Sequence, residues 1–160
     1  MVRTVLPIIP TIILGVIEPL LLSVLSATIH ITMDPASFFV VQAPSYPLLV
    51  SAVPPQGVGA AQQLGNIFLM LAFFALLCVW TPHPEISRYY CLIVALADWG
   101  HIYAFHRAVG SDYFWDFAGW HRHMWENVGV SVFLNVVRLA TVAGLFGKIG
   151  GGGKGKAKSG

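Results

Sequence analysis

Four stretches of this chain run apolar for close to the length of a bilayer crossing, with polar or proline-rich segments between them. The pattern predicts helical spans over about residues 6–29, 64–80, 89–106 and 128–146, because roughly 20 apolar residues rising about 1.5 Å each cross a hydrocarbon core. Pro7 and Pro10 suit the opening of the first span, whereas Pro19 should bend it. The expected fold is all-α: an integral membrane four-helix bundle over residues 1–147, then a disordered basic Gly/Lys tail over 148–160. A cleavable signal peptide is the rival reading of the first span, but the apolar run is too long and Glu18 sits in its middle.

Two connecting segments are themselves apolar. Residues 34–57 contain Pro35, Pro44, Pro47, Pro54 and Pro55, which forbid a continuous helix. This stretch is expected at the lumenal interface or folded over the bundle as a lid. Residues 111–125, "SDYFWDFAGWHRHMW", collect six aromatics. They read as an interfacial belt or as one wall of an apolar pocket, with Trp120 and Trp125 the pocket candidates.

Composition agrees with the membrane reading. The chain is 56% hydrophobic and 10% charged, against about 25% charged in soluble domains. Its net charge of +2 comes from the tail, so a nucleic-acid partner is not expected. Arg3, Arg88, Lys148, Lys154, Lys156 and Lys158 flank one side of the predicted spans, and residues 30–63 contain no Lys or Arg. Both termini are therefore expected in the cytoplasm, with the protein multi-pass in the endoplasmic reticulum. Cys78 and Cys91 read as small buried side chains. "HRH" at 121–123 with His106 and Asp116 lacks the repeated histidine spacing of membrane di-iron enzymes, so no metal site is expected. No phosphate loop or nucleophile elbow occurs, and no cofactor is implied.

The candidate chemistry lies at mid-membrane depth. Counting about 1.5 Å per residue from the cytoplasmic ends puts Arg138 near 12 Å, Asp98 near 13 Å and Asn135 near 16 Å. The same count puts Glu18 and His101 at about 18 Å and Asn66 at about 21 Å. Polar groups from four spans thus share one layer of a core about 30 Å thick. Ser131, Asn135 and Arg138 fall on one stripe at i, i+4 and i+7, as do Asp98 and His101 at i and i+3. Arg138 can neutralise one carboxylate; the second must pair with protonated His101 or carry a proton itself. Either arrangement supplies a proton donor in an apolar cavity, as general acid catalysis requires. The competing reading is a structural network that holds short helices together.

"DWGHIY" at 98–103, the "IEP" of the first span and the "W....WENVGV..FL..VR" pattern resemble a group of small fungal four-span membrane proteins related to the EXPERA, or emopamil-binding, superfamily. The resemblance covers roughly residues 8–147 and rests on Glu18, Gly65, Asn66, Asp98, Gly100, His101, Asp116, Trp120, Trp125, Asn127 and Arg138. It implies a bundle that encloses a lipophilic ligand with acidic groups on its helices. Members isomerise a sterol double bond through a carbocation, and similar small fungal membrane enzymes open epoxides or cyclise polyenes. The sterol isomerases carry a fifth span, whereas the pattern here predicts four. The expected activity is that of an acid/base epoxide hydrolase, cyclase or isomerase in fungal secondary metabolism, acting on a lipophilic polyketide or isoprenoid. Asp98 and His101 would donate and relay the proton, Glu18 would be the second acid, and Arg138, Asn66 and Asn135 would hold them. Expected partners are the substrate, membrane lipid and other enzymes of the same pathway; the alternative is a non-enzymatic sterol- or lipid-binding protein.

Overall fold

The computed structural model describes residues 4–27, 38–39, 42 and 53–151. Among these the chain is all-helical, with no strand. Helix α1 covers residues 8–27, α2 is Pro55–Val79 and α3 is Pro84–Val109. A short helix α4, Ser111–Trp115, and a 3₁₀ turn at Phe117–Gly119 lead into α5, residues 122–142. By length and composition α2 is long and apolar enough to cross a membrane, and residues Ile8–Val24 make a shorter apolar helix.

Two helices start earlier than the hydropathy pattern suggests, and prolines are the reason. Pro55 and Pro84 each stand in the first turn of a helix, where the missing N–H costs nothing and the fixed φ is already helical. Residues 55–57 of the expected lid therefore belong to α2. Of the remainder, only residues 38, 39, 42, 53 and 54 are described; the others lie outside the described residues.

Helix α1 carries two prolines, and side chains serve the carbonyls that these leave without their usual donors. Pro10 offers no N–H to Leu6, and the Thr11 hydroxyl donates to the Leu6 carbonyl at 3.2 Å. Pro19 offers none to Gly15, and Trp80 Nε1 donates to the Gly15 carbonyl at 2.9 Å. Around Pro19 the helix widens into π-type turns, Ile13–Ile17 and Leu21–Ala27, on either side of Glu18–Leu20. The carbonyl end of α2 is closed in the same way. Trp80 N–H donates to Leu76, Ser87 Oγ donates to Cys78 at 2.8 Å, and Thr4 Oγ1 donates to Val79 at 2.7 Å. The groups that every helix end orphans are thus met by other segments.

Two apolar clusters run along the molecule. The first joins Leu6, Leu14, Ala75, Cys78, Val79, Tyr90, Cys91 and Val137, from α1 with its preceding turn and from α2, α3 and α5. The second joins Ile102, Phe105, Val109, Phe114, Met124 and Val128, from α3, α4 and α5. Helix α3 packs chiefly on α5, and the second half of α1 packs on α2.

Helix α5 ends at a glycine with φ of 79°, Gly144, and Leu145 N–H reaches back to the Ala140 carbonyl while Gly144 N–H reaches Thr141. This is the left-handed stop that glycine favours. The following turns fold back: Gly150 N–H donates to the Val5 carbonyl at 2.8 Å, and Ile149 packs on the first cluster. Residues 148–151, expected to open a disordered tail, are therefore docked against the bundle. Residues 152–160 lie outside the described residues.

Candidate functional site

Three charged side chains meet between the two clusters. Arg138 of α5 is 1% exposed, and its guanidinium bridges two acids. Nη1 donates to Asp98 Oδ2 of α3 at 2.5 Å, and Nη2 donates to Glu18 Oε1 of α1. The sequence-based expectation gave Arg138 one carboxylate and left the other to His101 or a proton. The structure corrects this, because a planar fork of five N–H donors can serve two carboxylates at once.

Tyr90 was missed in the sequence. Its hydroxyl donates to Glu18 Oε1 at 3.4 Å, and its ring is buried in the first cluster. Tyr90 precedes Asp98 by eight residues, about two helical turns, so it lies on the same face of α3. That periodicity was the available signal.

Asn135 is buried and donates from Nδ2 to the Ala95 carbonyl at 2.7 Å, which ties α5 to α3 one turn before Asp98. Ser131, on the same stripe, donates instead to the Asn127 carbonyl of its own helix at 2.7 Å. Two expected members stand apart. Asn66 is exposed on α2, so it does not hold the acids. His101 makes no hydrogen bond among the described residues; its half-buried ring lies 5.0 Å from that of Phe105. Residues i and i+3 share a helix face, but the Arg138 fork reaches Asp98 from the neighbouring helix and supplies the contact that His101 was expected to make.

The remaining polar capacity is unequal. Among the described residues, Glu18 Oε2 and Arg138 Nε are buried without a hydrogen-bond partner. The Asp98 side chain is 13% exposed against 5% for Glu18. Asp98 is thus the less covered of the two acids, and neither acid lines the groove between α1 and α2 or the cavity at the start of α3.

The aromatic segment packs on itself. Trp120 donates from Nε1 to the Phe114 carbonyl at 3.0 Å, and its ring meets Phe117 at 5.0 Å and Trp125 at 4.9 Å, edge to face. Two cavities are described, one between α1 and α2 and one at the start of α3, and neither is lined by Trp120 or Trp125. Beside this segment Glu126 accepts from Arg122 and contacts His123. The Arg122 hydrogen bond holds the Glu126 carboxyl below the usual range.

The chain belongs to the family described as a domain of unknown function, DUF7704, whose model matches residues 3–148. That match includes Glu18, Tyr90, Asp98 and Arg138. No curated protein and no solved structure matches the chain.

Proposed function

We propose that this family member is a membrane-embedded general acid/base enzyme that acts on a lipophilic polyketide or isoprenoid, by epoxide opening, cyclisation or double-bond isomerisation. The observation that carries this reading is the Glu18–Arg138–Asp98 cluster, two carboxylates sharing one buried guanidinium, with one Glu18 oxygen unpartnered among the described residues. Ionisable groups at such depth usually mark function rather than packing. With both acids ionised the cluster carries one negative charge, and a single added proton makes it neutral. That proton is the one available for transfer. Asp98 delivers it to an epoxide oxygen or alkene carbon of the substrate, the developing cation faces the carboxylate left on Arg138, and loss of a proton from product restores the acid. His101, one turn beyond Asp98 on α3, exchanges the proton through substrate or water.

The membrane setting is part of the proposal. At about 1.5 Å per residue α1, α2 and α3 each reach roughly 30 Å or more, the depth of a hydrocarbon core, and α5 reaches it only with its charged first turns, which hold Arg122 and Glu126. They leave large apolar side chains bare, among them Leu77 at 72% and Leu96 at 74% exposure, which supports a lipid-facing surface. We read four spans with cytoplasmic termini in the endoplasmic reticulum, and kinship with the EXPERA superfamily of fungal four-span proteins. A glycosylation-acceptor scan checks the topology: acceptors in residues 30–52 should be modified and terminal ones should not.

A second reading, non-enzymatic lipid or sterol binding, is favoured by an apolar groove of about 250 Å³ between α1 and α2, lined by Pro19, Leu20, Leu69, Ala72, Phe73 and Leu76. Asp98→Asn separates the two readings. It keeps shape and hydrogen bonding but removes the acid, so lipid-soluble metabolites of the native host should shift to an accumulated precursor at unchanged protein level. An unaltered metabolite profile at normal abundance would remove the enzyme reading.

A further inference from the structure

At the end of the bundle away from the aromatic segment, the turn after α5 folds back against the start of α3. Between them lies a cavity of about 550 Å³ lined by Pro84, Glu85, Arg88, Tyr89, Gly144 and Lys148, among others. Two cations, Arg88 and Lys148, face this one space. Among the described residues neither makes a salt bridge; Glu85, the acid in the same lining, contacts His83 Nδ1 at 3.4 Å. Their placement is built into the fold. The left-handed glycines 144, 147 and 150 turn the chain, and Gly150 bonds Val5. Ile149 packs against the first cluster, so the backbone at Lys148 is held at the cavity that Arg88 also lines. Two like charges facing one cavity repel, and an anion between them offsets that repulsion. Tyr89, 63% exposed at the cavity wall, is the side chain type that sits at the headgroup level of a bilayer.

We propose that this cavity binds the phosphate of an anionic phospholipid headgroup, clamped between Arg88 and Lys148. The proposal rests on the membrane reading above, which puts Arg88 and Lys148 at the cytoplasmic surface, where anionic lipids concentrate. It is independent of any chemistry at Asp98. Lys154, Lys156 and Lys158 follow in the sequence and offer a rival, non-specific electrostatic attraction that the test must separate.

The test uses the full chain in neutral detergent, with dioctanoyl phosphatidic acid, dioctanoyl phosphatidylcholine and inorganic phosphate as probes, read by titration calorimetry. Phosphatidic acid should bind and phosphatidylcholine should not. The double variant Arg88→Gln/Lys148→Gln should weaken phosphatidic acid about thirtyfold, from about 1 kcal/mol per basic residue at a membrane surface. Its thermal midpoint without lipid should stay unchanged, since both side chains are exposed. The triple variant Lys154→Gln/Lys156→Gln/Lys158→Gln should bind phosphatidic acid as the wild type does. Undiminished binding by the double variant, or an equal loss in the triple variant, overturns the clamp. Inorganic phosphate binding as tightly as phosphatidic acid overturns the lipid as its source. Extraction with alkaline carbonate runs alongside: a chain stripped from membranes defeats the membrane reading itself, whatever phosphatidic acid does in detergent.

Discussion

The two apolar clusters are built from different helices. The first draws on α1, α2, α3 and α5, whereas the second uses α3, α4 and α5 and, among the described residues, takes nothing from α1 or α2. Polar cross-links divide the same way. Trp80 to Gly15, Ser87 to Cys78, Thr4 to Val79 and Tyr90 to Glu18 all lie in or beside the first cluster. The second is joined by ring edges, with Trp120 bonding the Phe114 carbonyl. Apolar side chains gain little by leaving lipid for one another, so close packing and hydrogen bonds must associate helices in a bilayer. The contrast teaches that α1 and α2 meet α3 and α5 through the first cluster together with three polar links, Ser87 to Cys78, Tyr90 to Glu18 and Arg138 to Glu18. Arg138 is the charged one among them, and it bonds α1 and α3 at once.

The strongest way to break this contrast is to remove Arg138. Arg138→Leu leaves Glu18 and Asp98 facing each other without a cation, and stranding buried charges costs about 3 to 5 kcal/mol. Membrane abundance and the thermal midpoint in detergent should both fall sharply; a wild-type midpoint would mean that apolar packing alone joins the two helix pairs. Next comes the approach of α1 to the α2 end. A Cβ on Gly15 would stand 2.6 Å from Val79 Cγ1 and 3.0 Å from Trp80 Nε1. Gly15→Ala should therefore cost about 1 to 3 kcal/mol by overpacking, seen as a lower midpoint with altered tryptophan emission. Ser87→Ala removes one capping bond to the Cys78 carbonyl and should cost about 1 kcal/mol, measured in the same melt. Glu126→Gln, at the edge of the other region, should be nearly silent at neutral pH, since exposed pairs contribute about 0 to 1 kcal/mol. Its sign is fixed by the lowered Glu126 carboxyl. Any contribution is present above the unfolded value of about 4.3 and is lost as pH falls through the lower folded one. Melts of wild type and variant should converge in that acid range.

The helical class and the convergence of Glu18, Asp98 and Arg138 could be read from the chain, because depth and helical period are properties of sequence alone. Boundaries were less legible. Pro55 and Pro84 look like breakers in a hydropathy profile, yet a proline in the first turn starts a helix as readily as one inside it ends it. Asn66 was misplaced because depth fixes height along a helix and not rotation about it; α2 turns that residue outward. His101 shares a face with Asp98, but sequence spacing does not say which neighbour arrives first. Tyr90 was passed over because an aromatic ring in an apolar run reads as packing, while its hydroxyl is what matters here.

The widened turns of α1 set a phase. Leu14 must face the first cluster and Glu18, four residues on, must face Arg138; the turn Ile13–Ile17 lies across both. One residue of an α-helix corresponds to a rotation of about 100°. Deleting a single residue within 13–17, even an apolar one with no contact of its own, should let that turn tighten and send either Leu14 or Glu18 to the wrong side. Apart from Gly15, where an added methyl has no room, length in this stretch is then under tighter constraint than identity, and exchange of one outward-facing apolar residue for another there should be tolerated where loss of one is not.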